Sequence, residues 1–482
     1  MRGIALELGL NHPVTKLDVA RYMYGRMLDF APGTAQKESN YSYLLAGAVV
    51  ERLTGTAYTE YTFFGEKRGI GKRELVGWGV NEKDFYQRLL GVEAPWKVTG
   101  VELDLEHQRV EVEVSCEAVE WVDEAGKRAH IHGYEERRWR HLDTCQCKTW
   151  VKARVPRVRY EDGSTQMVRV AWAEDRSRFT SMFEAFAIRV LLASASLQAG
   201  CQVLGISWDQ AQQIMERAVE RGLARRKIEA LRYVGLDEKS FGHGQSYISL
   251  LCDVETSRVL EVTLSRSYDA TRELWLGLSQ AQRDSIEAVA MDMWDAYLTA
   301  THICLPQASI VYDKFHVSQE LNQAIDLIRR KEHQALLHKG DRRLGGTRQW
   351  WLMRPEKLTP ERKEQFDRLV ASQLKAARAW TAKQLFDSFW KSPNLDAAQE
   401  FFNFWYRRVI RSRIPQLKAV AKMLRSHLER LLNYLVHPIT NAVTEGFNSK
   451  IQALRHAARG FRSFNNYRVR ILFCCGKLSL FP

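Results

Sequence analysis

Tyr233-Val-Gly-Leu-Asp-Glu-Lys-Ser240 and Ile286-Glu-Ala-Val-Ala-Met-Asp292 are two short stretches whose apolar runs each end on an aspartate. Their surroundings decide the fold. Residues 233–236 read as a strand ending at Asp237, and residues 247–252 and 259–264 read as two further strands after short turns. Residues 269–278 have helical spacing. Residues 286–291 then form a strand ending at Asp292, residues 294–302 a helix, and residues 309–312 a strand ending at Asp313. Three consecutive strands followed by alternating helix and strand is an α/β order.

That order is the one of a ribonuclease-H-like sheet, in which the first and fourth strands lie side by side. Two-metal phosphoryl transfer needs about three carboxylates on one edge of a rigid sheet, because Mg²⁺ ions about 4 Å apart must clamp both the attacking and the leaving oxygen. Asp237 and Asp292, 55 residues apart, supply two. The third is expected from a later helix, and Glu445 fits. Thr440 or Asn441 can cap a helix whose Phe447, Ile451, Leu454 and Ala458 form an apolar stripe, leaving Glu445, Asn448, Gln452, Arg455 and Arg459 on another face. Glu238, Asp253, Asp295 and Asp313 compete by position, since an acid after a strand also serves as a turn former. Asp313 with His316 reads as a metal pair, a nucleic-acid contact or a capped helix start with a buried histidine.

Outward from this core, the expectation is a multidomain α/β chain. Residues 81–165 form a β-rich module, with alternation at Val101, Leu103 and Leu105 and again at Val110, Val112 and Val114. Residues 166–230 carry a helix at 183–198 and a helix-turn-helix whose second helix is capped by Ser207 and runs to Gly222. Residues 231–325 are the first part of the core, 326–435 a helical insertion, and 436–482 the last part with the Glu445 helix. Of the formal +14, residues 401–482 hold fifteen Lys/Arg against Glu429 and Glu445. A surface so basic attracts nucleic acid. Arg138, Arg140, Arg217, Arg221, Arg225, Arg226, Lys450, Arg455, Arg459 and Arg462 are the candidate DNA contacts. The eight cysteines make no spaced framework, and no long apolar segment suggests export or a membrane span, so a cytoplasmic, nucleoid-associated protein is expected.

Several motifs carry a resemblance: Gly235-Leu-Asp-Glu-Lys-Ser240, Met291-Asp-Met-Trp-Asp-Ala-Tyr297, Asp313-Lys-Phe-His-Val317, Thr440-Asn-Ala-Val-Thr-Glu-Gly-Phe-Asn-Ser-Lys-Ile451 and Ala458-Arg-Gly-Phe-Arg462. With Arg138-Trp-Arg-His-Leu-Asp143 and Arg217-Ala-Val-Glu-Arg-Gly-Leu223 upstream, the chain from about residue 81 resembles insertion-sequence transposases of the ISL-three type. The resemblance implies a DDE triad, mapping onto Asp237, Asp292 and Glu445, with Mg²⁺ or Mn²⁺ as cofactor and Asp313 and His316 as accessories. It also implies terminal inverted repeats and target DNA as partners, and action as a homo-oligomer. The rivals are a decayed repressor that occupies the repeats and a nuclease that cuts without joining.

Two departures stand out. The family's cysteine-rich zinc-finger segment is degenerate here, with Cys116 ahead of the Arg-Trp-Arg-His-Leu-Asp run and His130 and His132 where cysteines are expected, which argues against a structural zinc. Residues 1–80 match no part of the resemblance. The expectation is a natural start near Val80 or upstream DNA read in frame, with an accessory domain as the alternative.

Overall fold

The computed structural model describes residues 81–482 except 119, 124–125, 242–245, 313, 354, 440–441 and 462, and for residues 442–445 it describes the backbone alone. Helix α1 (Glu82–Leu89), capped by the Asn81 side chain, leads into a six-stranded sheet. Its strands are β1 (Trp96–Asp104), β2 (Arg109–Cys116), β3 (Glu120–Val122), β4 (Arg128–Arg140), β5 (Lys148–Tyr160) and β6 (Thr165–Met167), in the order β1-β2-β5-β4-β3 with β6 beside β5. Val112, Trp139, Val151 and Val155 face inward, and Trp172 packs edge-on against Trp96 and Trp139 at 5.2 and 5.5 Å. The core of the module therefore continues past residue 165 to Trp172 and Ala173. The expected burial at Leu103 and Leu105 fails: the register shift between Val98 and Gly100 keeps Val101 and Leu103 opposite the inward-facing Val112 and Val110, but Leu103 near the end of β1 and Leu105 beyond it are exposed.

Helices α2 (Ser181–Ala193), α3 (Leu197–Leu204) and α4 (Trp208–Ala224) follow. The single helix expected over 183–198 is broken because Ser194 turns extended and Ser196 starts a new helix, its hydroxyl accepting the Ala199 amide at 3.2 Å. Gly205, at φ +61°, closes α3, and Ser207 with Gln210 forms a capping box on α4. Helix, left-handed glycine, helix is the turn the sequence predicts.

The second sheet holds β7 (Tyr233–Ser240), β8 (Tyr247–Asp253), β9 (Arg258–Leu264), β10 (Ala288–Met291) and β11 (Ser309–Tyr312), in the order β11-β10-β7-β8-β9. Strands β7 to β9 are antiparallel, and β10 is parallel to both β7 and β11. Helices α5 (Tyr268–Leu276) and α6 (Gln280–Ser285) cross from β9 to β10, and α7 (Asp295–Cys304) from β10 to β11. A period of two sorts the residues. Val234, Leu236, Val289, Met291 and Tyr312 share a core with the helices that follow, while Ile248, Leu250 and Cys252 face α4 and the last helix of the chain.

Those helices are α8 (Lys314–Leu337), α9 (Arg348–Leu352), α10 (Pro360–Val370), α11 (Lys375–Phe386), α12 (Leu395–Ile410), α13 (Pro415–Ser426), α14 (Leu428–Val436), α15 (Ala442–Ala457) and α16 (Phe464–Cys475). Helix α8 runs unbroken across residues 325 and 326, so the helical region grows directly out of the sheet. Phe386, Phe389, Phe402 and Trp405 are fully buried at its centre. No described helix is long and apolar enough to cross a membrane.

The tail after α16 clasps α4. Arg221 donates to the Leu480 carbonyl, Arg225 to that of Phe481 at 2.5 Å, and Arg189 lies over the Phe481 ring. Gly222 lets Leu478 close: a Cβ there would stand 2.6 Å from the Leu478 Cβ. We expect Gly222→Ala to destabilise the chain by about 1–3 kcal/mol in denaturant titration, with Leu478→Ala restoring part of the loss. His141 joins the first module to α2 through Thr180 Oγ1 at 2.9 Å, while its buried Nε2 has no partner. Burial, and then the Arg140 charge, lowers its pKa from 6.5 to about 4. Between those values the unfolded chain binds a proton that the folded one refuses, so stability is present above pH 6.5 and lost as pH falls toward 4, by at most about 3 kcal/mol. The melting-temperature advantage of wild type over His141→Gln should therefore shrink as pH falls through this window.

Candidate active site

Asp237 lies within β7, opposite Leu250 of β8, and Asp292 is the first residue after β10. Because β7 and β10 are parallel neighbours with Leu236 paired to Met291, the two aspartates succeed paired residues and come to the same sheet edge. Asp237 is 5% exposed. Its Oδ1 accepts the Glu238 amide at 2.8 Å, and its Oδ2 accepts Asn448 Nδ2 of α15 at 2.6 Å. Burial and then the Asp292 charge push its carboxyl up to about 6, opposed by those two donors and by His316.

His316 Nε2 stands 2.5 Å from Asp292 Oδ1, a buried oxygen that receives no well-directed hydrogen bond. Two neighbouring, largely buried carboxylates, one of them with its proton affinity raised by the other's charge, fit a shared hard divalent cation. Beneath them Tyr297 donates to Ser249 Oγ at 2.6 Å, and Ser249 donates to the Ser265 carbonyl at 2.7 Å. Burial holds the Tyr297 phenol well above its usual range, and the charges of Glu238, Asp237 and Asp292 add to this.

Helix α15 packs against β7. Glu445 lies in it three residues before Asn448, positions that share a helix face; its side chain is outside the description. Ile451 is fully buried as expected, whereas Ala458 lies beyond the helix and is exposed. Asp313 and Arg462 lie outside the described residues. Of the competing acids, Glu238 pairs with Arg266 at 2.8 Å, and Asp253 sits at the opposite end of β8, capping a turn and pairing with Arg258. Asp295 is exposed on the first turn of α7. Arg266 went unmarked in the sequence. Stacked between Tyr247 and Trp294 at 4.1 Å from each, it forms a rim beside the site.

The arginines divide differently from the expectation. Arg140 is buried, its guanidinium held by Asp143 and the Thr149 carbonyl. Arg217 binds the fully buried Glu184, and Arg221 binds Glu174 and Glu184 as well as the tail. Arg226 donates to the Leu260 carbonyl at 2.8 Å. These four brace the interior. Arg138 stacks on Trp150 and lies 3.4 Å from Glu111; Arg225, Lys450 and Arg459 are exposed, although Lys450 reaches the Cys474 carbonyl. Arg455 donates to the Ser240 carbonyl at 2.9 Å, at the wall of a cleft of about 1,160 Å³ that begins at Glu238 beside Asp237.

Residues 234–471 match the family model described as a transposase. Ahead of it, residues 168–219 match the helix-turn-helix domain of transposase family ISL3, and residues 125–162 the zinc-finger of the transposases of IS204, IS1001, IS1096 and IS1165. The chain belongs to the ISL3 family of transposases. It is similar to the transposase for insertion sequence element IS1001 of Bordetella parapertussis, 25% identical over 72% of this chain and 87% of that one. It is also similar to the transposase for IS1557 of Mycobacterium tuberculosis, 26% identical over 68% of this chain and 79% of the relative. Family membership makes the chain a DNA-binding protein of transposition, with α3 and most of α4 inside the matched helix-turn-helix.

In the zinc-finger region the donors present do not converge. Strand β2 runs parallel to β5 with Arg109 beside Lys148, so Cys116 lies eight residues, about 26 Å, along the sheet from Cys147. His130 pairs with Arg159, eleven residues or about 36 Å from Lys148. At the turn itself Cys145 and Cys147 are joined by hydroxyls: Thr149 Oγ1 donates to Thr144 Oγ1 at 2.9 Å, and Tyr86 lies 2.8 Å from the same oxygen. These residues do not fit a four-ligand zinc site. A zinc chelator should leave the thermal unfolding of the chain unchanged, and a drop of several degrees would show that a metal supports the module.

Proposed function

We propose that the chain is a DDE-class transposase that binds the terminal inverted repeats of an insertion sequence and cuts and joins DNA at Asp237, Asp292 and Glu445. One observation carries the reading: Asp237 and Asp292 share a sheet edge, and the helix that bears Glu445 is tied to Asp237 by Asn448. Three antiparallel strands extended by two parallel ones, with helices between, support a ribonuclease-H-like core over residues 231–325 and 436–482, interrupted by a helical insertion over 326–435.

Mg²⁺ or Mn²⁺ held by the three carboxylates would supply Lewis-acid activation of the nucleophile and charge neutralisation at phosphorus. The chain's own residues prepare the site. Asn448 fixes the orientation of Asp237, and His316 that of Asp292. Water breaks the phosphodiester at the element end, leaving a 3′-hydroxyl, which attacks a target phosphodiester in line and expels the target's own 3′-oxygen. The first module and the helix-turn-helix bind the repeats, with Arg138 and Arg225 as surface cations, while Lys450, Arg455 and Arg459 line the path of the DNA beside the carboxylates. Pairing two element ends calls for a homo-oligomer.

The test is Mg²⁺-dependent cleavage and joining of a labelled duplex that carries the element's terminal repeat. Asp237→Ala, Asp292→Ala and Glu445→Ala should each lower both products by about 100-fold or more while repeat binding persists. His316→Asn should lower them about tenfold. If wild type binds and never cuts, the chain is a repeat-occupying repressor; cutting by Asp292→Ala or Glu445→Ala overturns the triad.

A further inference from the structure

A cavity of about 800 Å³ lies between the helix-turn-helix and the C-terminal helices, within the range of about 300–1,000 Å³ typical of ligand sites. Ser196 and Gln198 at the N-terminus of α3, Trp208 and Gln212 of α4, Arg459 after α15 and Arg470 of α16 line it. No acidic residue is among its described lining.

Arg470 is 5% exposed. Its guanidinium touches Met215 Sδ at 3.2 Å and lies 5.9 Å from the Phe473 ring, and among the described residues it has no carboxylate within ion-pair distance. The contrast within the same structure is sharp: Arg221, equally withdrawn, is matched by Glu174 and Glu184. A buried, unneutralised guanidinium is costly unless an anion arrives to pair with it. The amides at the start of α3 add a second source of positive potential.

Trp208 differs in kind. It is a large aromatic on the first turn of the second helix, 43% exposed, where nothing in the fold requires an indole in water. A cation for phosphate, an exposed aromatic plane and side-chain amides together suit one nucleotide. An intact duplex carries its phosphates on a convex surface and cannot bring one to a residue this deeply withdrawn. A nucleotide turned out of the stack can. The neighbouring cleft supplies the route, because Ala458 to Phe461 form the wall shared by this cavity and the cleft beside Asp237, with Arg459 and Gly460 at φ +54° and +97°.

We infer that this cavity captures one nucleotide extruded from the DNA end, its phosphate on Arg470 and its base against Trp208, and so holds the strand that enters the carboxylate site. This rests on the proposed DNA-cutting reading. The experiment places 2-aminopurine at successive positions of the terminal-repeat duplex and reads emission and cleavage in the same samples. At one position near the cleaved bond, wild type should unstack the base yet keep it partly quenched by the indole. Trp208→Ala, an exposed position, should brighten that position severalfold and weaken end binding about tenfold. Arg470→Met, checked for an unchanged melting temperature, should abolish the signal at that position; Arg470→Lys should restore part of it.

Uniform emission at every position in a wild-type enzyme that cleaves overturns the inference and leaves the transposase reading standing. Failure to bind or cleave any duplex defeats that reading instead. If free deoxynucleoside monophosphate quenches Trp208 fluorescence in the absence of DNA as strongly as the duplex does, the cavity belongs to a soluble nucleotide and the inference falls.

Discussion

The parallel pairing of β7 with β10 is the constraint on which the site depends. Parallel neighbours need a crossover, and here β8, β9, α5 and α6 occupy it, so residues far apart in sequence end on one edge. Once Leu236 lies beside Met291, Asp237 and Asp292 are placed by covalent succession. Two carboxylates held this way repel each other, and the sheet bears that cost because Val234, Leu236, Val289 and Met291 bury their opposite face in the largest core of the molecule. The helical region over 326–435 supplies the other half of that core, so it supports the site even though it lies far from it in sequence.

Local pattern made much of this legible. Asp237 and Asp292 could be singled out because an acid that closes a short apolar run is visible in the sequence, although β7 continues past Asp237 to Ser240, and Ile451 because a stripe of period 3.6 marks the buried side of α15. The helix-turn-helix was legible for the same reason, through Gly205 and the Ser207 cap. What stayed hidden depends on partners distant in the chain. Tyr297 reads as an ordinary helical tyrosine until β8 brings Ser249 to it, and Trp172 reads as a linker residue until the first sheet closes around it.

The arginines show the same limit in electrostatic terms. A helix ending in Arg217, Arg221, Arg225 and Arg226 looks like a phosphate-binding surface. Glu184 lies 33 residues before Arg217 and Glu174 lies 47 before Arg221, so no local window shows them as partners. In the folded chain the two acids sit behind α4, and the cations that meet them are withdrawn from solvent. Formal charge thus overstates the field offered to DNA, and the distinction that matters is between guanidinium groups already neutralised and those that are not.

Arg470 belongs to the second class, and its setting links recognition to chemistry. Helices α2 to α4 share one continuous core with β8, β9 and α16, and the C-terminal tail is clasped to α4 by Arg221 and Arg225. The helix-turn-helix is therefore packed onto the back of the sheet that carries Asp237, through one shared core. Where a reading head hangs on a flexible linker, bound DNA can approach the carboxylates in many registers, and each must be sampled at an entropic cost. Here folding sets the register in advance. On the proposed reading the position of the cavity between α4 and α15 then follows from the architecture, because a strand bound by the one and cut beside the other has to pass it.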